Sequence, residues 1–176
     1  MIYVDFDDFN EKNHRLDLLE RLHAILPEFK VTLFTIPEPN SIGFLLKVAN
    51  IDWIQMVPHG WKHSYLECRP WTKERALKYL NMCDDLKVFK KGFKAPYWET
   101  SSGLYDALLE KDYWIADHDR NDGIRPFNLR TYKVGTDSVH GHIQNVCGNG
   151  LEETFEKLSK LKGPFGFIND KMEGIC

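Results

Sequence analysis

Short apolar runs alternate with segments of helical period from one end of the chain to the other. Ile2-Tyr3-Val4-Asp5-Phe6, Val31-Thr32-Leu33-Phe34 and Trp53-Ile54-Gln55-Met56-Val57 are rich in β-branched and aromatic residues and predict strands. Between the first two, Leu16, Leu19, Leu22 and Leu26 fall on one stripe, predicting a helix from Arg15 to Leu26 that Pro27 closes. A Pro-rich turn, Pro37 to Ser41, leads to a short helix over Ile42 to Ala49. Thr72 is placed to cap a long helix reaching about Val88.

The alternation continues downstream. Gly92-Phe93-Lys94-Ala95 predicts a fourth strand stopped by Pro96, and Ser101 or Ser102 caps a helix carrying Leu104, Ala107 and Leu108. Tyr113-Trp114-Ile115-Ala116 predicts a fifth strand, followed by a polar loop over Arg120 to Asn128. Leu129 to Val134 and Asp137 to Ile143 read as two more strands. Gly150 then precedes a helix with Leu151, Phe155, Leu158 and Leu161 inward, and Phe165 to Ile168 reads as a last strand. Strands alternating with helices predict an α/β fold with a mainly parallel sheet. With no repeat, no low-complexity tract and no dividing linker, residues 1–176 read as one domain.

The polar positions that break this pattern are concentrated. Asp7 and Asp8, His59 and His63, Lys94 to Trp98, Asp117, and His140 with His142 all fall at or just past predicted strand ends. In parallel sheets and barrels those ends share one rim, where sites are built. His59 and His63 stand four residues apart, which on a helical turn puts both imidazoles on one face. Both can then reach one cation at the roughly 2.0–2.1 Å of a zinc–nitrogen bond. Asp7 and Asp8 are adjacent on a strand, so their side chains are expected on opposite sides, one toward a metal and one toward water.

Composition narrows the classes. A hydrophobic fraction of 43% with 28% charged residues is that of an ordinary globular chain. A net charge of −3 with no basic patch gives no reason to expect nucleic acid. No apolar run approaches the roughly 18 residues a membrane span requires, and Met1 to Val4 enters a strand directly, so the expected location is cytoplasmic. Cys68, Cys83, Cys147 and Cys176 lack C-x-x-C pairing and are expected to be free, buried thiols. Cys68 and Cys147 each lie five residues after a candidate histidine, which leaves a place for a soft metal ligand.

Phe6-Asp7-Asp8, His59-Gly60-Trp61-Lys62-His63, Lys94-Ala95-Pro96-Tyr97-Trp98 and His140-Gly141-His142 stand in the order of the motifs of the polysaccharide deacetylase family, carbohydrate esterase family 4. The resemblance spans nearly the whole chain. It implies a distorted (β/α) barrel with its site at the carboxyl ends of the strands. It also implies Asp7 as general base and Asp8, His59 and His63 as ligands of a divalent metal, zinc first. Cobalt, nickel or iron also suit two imidazoles and a carboxylate. The Tyr97 N–H would form the oxyanion hole. The late histidine would be the general acid, with His142 favoured for its place nearer the strand end and His140 the alternative. Asp117 would orient it.

One position departs from the family pattern. Lys94 stands where the family has an Arg that holds the catalytic Asp, and a lysine keeps the charge but lacks the planar fork. Trp98, and after it Trp61, offer aromatic faces for a sugar ring. The resemblance implies a metal-dependent hydrolase that removes an acetyl group, as N-acetyl amide or O-acetyl ester, from a carbohydrate or amino-sugar substrate. The alternatives are a deacetylase-like hydrolase of a small cytosolic amide and a catalytically impaired glycan-binding module.

Overall fold

The computed structural model describes residues 1–136, 138–144 and 148–174. Its first strand, β1 (Ile2–Phe9), is buried along nearly its whole length because both of its faces are covered. β2 (Val31–Thr35) pairs with it on one side and β3 (Ile54–Pro58) pairs with β2. β7 (Val139–His142) and β8 (Phe165–Gly166) also pair with β1, giving the order β3-β2-β1-β7. A second sheet runs β4 (Gly92–Lys94), β5 (Trp114–Asp117) and β6 (Thr131–Lys133). Every pairing within the two sheets is parallel, as the strand–helix alternation requires. Isolated bridges at Met56–Phe89 and His59–Lys94 join the sheets.

Helices α1 (Leu16–Ile25), α2 (Ile42–Ala49), α3 (Lys73–Leu86), α4 (Ser102–Glu110) and α5 (Leu151–Leu158) supply the crossovers. Three begin where side-chain oxygens satisfy free backbone N–H groups. Ser41 accepts from Phe44, Thr72 from Arg75 and Ser101 from Leu104. The Ser101 or Ser102 choice thus resolves to Ser101.

Two apolar layers lie between strands and helices. One joins Val4, Phe6, Val31, Leu33 and Met56 to Leu19, Leu22, Val48 and Leu151. The other sets Phe93 and Ile115 against Leu80, Leu104 and Leu108. A third cluster is interior to both sheets: Tyr3, Phe34, Val57, Trp114, Ala116, Tyr132 and Ile168. Burying each of these large side chains contributes roughly 1.5–3 kcal/mol. The two-residue period of β1 sends Val4 and Phe6 toward the helices and Tyr3, Asp5 and Asp7 inward. The interior is therefore apolar at one end and carboxylate-lined at the other.

The tail differs from expectation. Phe165–Gly166 is the whole of β8, and Ile168 opens helix α6 (Ile168–Glu173) instead of extending a strand. Tertiary bonds hold this turn: Trp114 Nε1 donates to Asn169 Oδ1, and the Asn169 N–H donates to Gln55 Oε1. No helix among the described residues is long and apolar enough to cross a membrane.

Candidate active site

At the carboxyl ends of the strands, Asp7, Asp8, His59, His63, Lys94, Ala95, Tyr97, Trp98, His142 and Gln144 line a cavity of about 470 Å³. Asp7 and Asp8 both enter it, contrary to the strict alternation expected of a strand. β1 shifts register against β2 between Phe6 and Phe9, and Asp8 adopts a φ of 65°. The bulge turns Asp8 back toward the side that Asp7 already faces.

His59 and His63 also meet by a route other than the expected helical turn. His59 follows β3, bridged to Lys94, while Gly60 (φ 63°) and His63 (φ 59°) reverse the backbone in a loop. Glu67 holds that loop. Its carboxylate accepts the N–H groups of Trp61 at 3.1 Å, Lys62 at 2.9 Å and His63 at 2.8 Å. The two imidazole rings end with centroids 4.7 Å apart.

His59 Nδ1 lies 3.1 Å from the Lys94 carbonyl, which can only accept, so Nδ1 carries the proton and Nε2 offers a lone pair. Asp8 Oδ1 is 2.9 Å from His63 Nε2 and 3.5 Å from His59 Nε2. These three atoms form one of two groups among the described residues whose spacing could hold a metal ion. Two imidazoles and a carboxylate, with open positions left over, suit a hydrolytic divalent cation. Gln144 Nε2 donates to the other Asp8 oxygen at 3.0 Å and steadies it. Burial opposes ionisation of Asp8, but His59 and His63 outweigh it and hold the carboxyl far below its usual range.

Asp7 is held from another direction. Lys94 Nζ lies 2.7 Å from Oδ1 and 2.6 Å from Oδ2, so a single ammonium grips both oxygens. The ammonium is buried over the faces of Trp98 (4.3 Å) and Phe34 (4.8 Å). Burial pushes the Asp7 pKa up, but Lys94, then His59 and His140, bring it below the ordinary value. Beyond Lys94 the chain turns sharply, with Tyr97 (φ 57°) and Trp98 (φ 61°) both in the left-handed region. Asn121 donates to the Trp98 carbonyl at 3.1 Å and Arg120 donates to that of Tyr97, bracing the turn.

The late histidines are set by register: His140 lies opposite Asp5 and His142 opposite Asp7. His142 reaches the cavity, with Nδ1 3.1 Å from Asn149 Oδ1 and Nε2 3.9 Å from Asp7 Oδ2. His140 lies deeper, its Nδ1 2.5 Å from Asp5 Oδ1. Asp117, expected to orient the late histidine, is instead engaged by Asn121 at 2.7 Å, Arg125 at 2.8 Å, the His118 N–H at 2.8 Å and Tyr105 at 3.3 Å. Among the described residues no hydrogen bond joins it to His140 or His142. Its place at the end of β5 makes it the anchor of the loop that follows, because a buried carboxylate must gather donors.

Trp61 stacks on Tyr79 in the core rather than facing the cavity, while Trp98 lines it. Cys68 and Cys83 are free and buried, and burial pushes the Cys83 thiol up to about 12. Cys68 lies in a core cluster outside both metal-capable groups, and Cys147 and Cys176 lie outside the described residues. Glu67, Gln144, Asn149, Asn121 and Arg125 had no motif to mark them. Glu67, four residues past His63, carried only a faint positional signal.

No family model matches the sequence, and no curated protein matches it. Solved structures do. The carbohydrate esterase family 4 domain of a multidomain xylanase from the hindgut metagenome of Trinervitermes trinervoides aligns with a TM-score of 0.61 at 16% identity, covering 99% of this chain and 90% of that one. A family 4 acetyl xylan esterase from Clostridium thermocellum, in complex with a cobalt ion, aligns with a TM-score of 0.64 at 13% identity and the same coverage. A family 4 pseudoenzyme from Bacillus anthracis aligns at 0.60 and 12% identity, covering 97% of this chain and 66% of that one. The chain has the fold of carbohydrate esterase family 4.

Proposed function

We propose that the protein is a metal-dependent hydrolase that removes an acetyl group from a carbohydrate, as an N-acetyl amide or an O-acetyl ester. The observation that carries this reading is the convergence of Asp8, His59 and His63 beside Asp7, in a cavity at the strand ends of a fold shared with esterases and a deacetylase. Asp8 Oδ1 and the two Nε2 atoms would hold the cation, zinc first. When bound, such a cation supplies Lewis-acid polarisation of a carbonyl and acidification of water.

The remaining chemistry belongs to the chain. Asp7 Oδ2 takes a proton from the attacking water, and Lys94 keeps that carboxylate ionised and aimed. The Tyr97 N–H donates to the developing oxyanion. The proton taken by Asp7 passes to His142 Nε2, 3.9 Å away, which returns it to the departing amine, its ring fixed through Nδ1 by Asn149. Asp117 acts at a distance by bracing the loop that carries Asn121 against the Trp98 turn. Products are acetate and a free amino sugar, or an alcohol from an ester.

Release of acetate from acetylated xylan and from chito-oligosaccharides, measured with metal content before and after chelation, tests the proposal. Acetate release that stops on chelation and returns with added zinc or cobalt is expected. Release indifferent to chelation would sink it. A loaded protein that binds glycan and releases nothing would favour a binding module, a reading with support from the pseudoenzyme neighbour.

A further inference from the structure

We infer that Asp7, His140 and His142 form a second divalent-cation site, weaker than the first, whose occupation shuts the centre down. The binding stands independently of the hydrolase proposal; only the predicted inhibition rests on it.

The argument begins with the imidazole tautomers. His140 Nδ1 is 2.5 Å from Asp5 Oδ1, and His142 Nδ1 is 3.1 Å from the side-chain oxygen of Asn149. Both partners are acceptors, so each Nδ1 donates and each Nε2 is left with its lone pair exposed. A carboxylate or amide oxygen behind a histidine is the arrangement that fixes metal-binding imidazoles elsewhere. Asp5 is wholly buried, and among the described residues its other oxygen has no hydrogen-bond partner, so His140 is where its side chain is engaged.

The exposed lone pairs converge on a third acceptor. His140 Nε2 lies 3.8 Å and His142 Nε2 3.9 Å from Asp7 Oδ2. Those separations are too long for hydrogen bonds. They are within about half an ångström of the ~3.4 Å kept by tetrahedral ligands at bond lengths near 2.1 Å. The three ligating atoms lie within 4.8 Å of one another. Strand register places the set: His140 and His142 share one face of β7, opposite Asp5 and Asp7. Two imidazoles and one carboxylate select zinc, cobalt or nickel over magnesium or calcium.

Lys94 explains why this site is the weaker one. Its ammonium already holds both oxygens of Asp7, so an incoming cation must share that carboxylate with a positive charge. Among the described residues no lysine or arginine is paired with Asp8. A second ion would also occupy the lone pairs that the proposed reaction assigns to base and acid.

Zinc is the probe. Chelator-stripped full chain is titrated by equilibrium dialysis with metal analysis. Two zinc ions per chain in two affinity classes are expected, with acetate release rising through the first and falling through the second. His140→Gln should remove the weaker class and keep the tighter one, while His63→Gln should do the reverse. Asp5→Asn should weaken only the second class, by about 10- to 100-fold. One ion per chain at saturation, lost in His63→Gln and kept in His140→Gln, overturns this inference and leaves the hydrolase proposal standing. Zinc binding absent altogether overturns both. A second class that survives His140→Gln and His142→Gln is surface binding and overturns the inference. If those variants fail to fold, imidazole nitrogen resonances of the unaltered protein decide: the second equivalent must move His140 and His142.

Discussion

Lys94 and Asp7 form a buried ion pair in which one ammonium spans both carboxylate oxygens, at 2.6 and 2.7 Å, beneath the faces of Trp98 and Phe34. The planar fork of an arginine is not the only way to hold a carboxylate from both sides. A point charge does so when the walls around it prevent drift. The aromatic walls also replace part of the hydration that the ammonium gives up.

Lys94→Met should therefore destabilise the fold by about 3–5 kcal/mol, because it leaves a buried carboxylate unpaired. Asp7→Asn combined with Lys94→Met should be less damaging than the two single changes summed, in urea unfolding at neutral pH. The pH sign follows from Asp7, whose pKa is lower in the folded chain than its ordinary 3.8. Its contribution is complete above that value and is lost as pH falls through the folded value. The stability gap between wild type and Asp7→Asn should accordingly close only in strong acid.

Gly60→Ala should disturb the His63 loop. An added Cβ would meet Glu67 Oε2 and Pro96 Cγ at 2.6 Å, on a backbone with φ 63°. Glu67→Gln should cost about 1.5–3 kcal/mol, since three N–H groups lose a charged acceptor. Thermal melts paired with zinc titrations check both. Unchanged metal affinity in either variant would show that the loop does not position His63.

Asp5→Asn and Asp117→Asn should separate cleanly. Asp5 touches His140, one of the groups that hold the Asp7 carboxyl below its ordinary value, and its loss should shift the pH profile of acetate release, whereas Asp117 anchors the loop after β5 and should lower stability without moving that profile. A profile shift in Asp117→Asn alone would reverse the assignment.

Metal uptake at Asp8, His59 and His63 should weaken as pH falls. Burial lowers the affinity of His63 for its proton, yet Asp8 outweighs burial and lifts its pKa above 6.5. A cation must displace that proton, so binding strengthens as pH rises through the raised value. Affinity flat from pH 6 to 8 would contradict this.

Much of the fold was legible in the one-dimensional pattern. The order of strands and helices through α5, the capping residues and the parallel class all follow from local periodicity and turn chemistry, which act over a few residues. The rim was legible too, because strand ends are marked by where apolar runs stop. The short tail helix α6 was not, since its shape is set by hydrogen bonds to Trp114 and Gln55 across the chain.

The sequence by itself determined which residues reach the rim: Asp7, Asp8, His59, His63, Lys94, Tyr97 and His142 all line one cavity. How they reach it was decided by tertiary structure alone. A bulge at Asp8 overrode the strand period, and positive φ at Gly60 and His63 replaced the expected helical turn. Asp5, not Asp117, stands behind a late histidine, because strand pairing between β1 and β7 sets residues 135 apart side by side. Local pattern carries what neighbours in the chain impose; a buried carboxylate finds its partners only when distant strands are brought together.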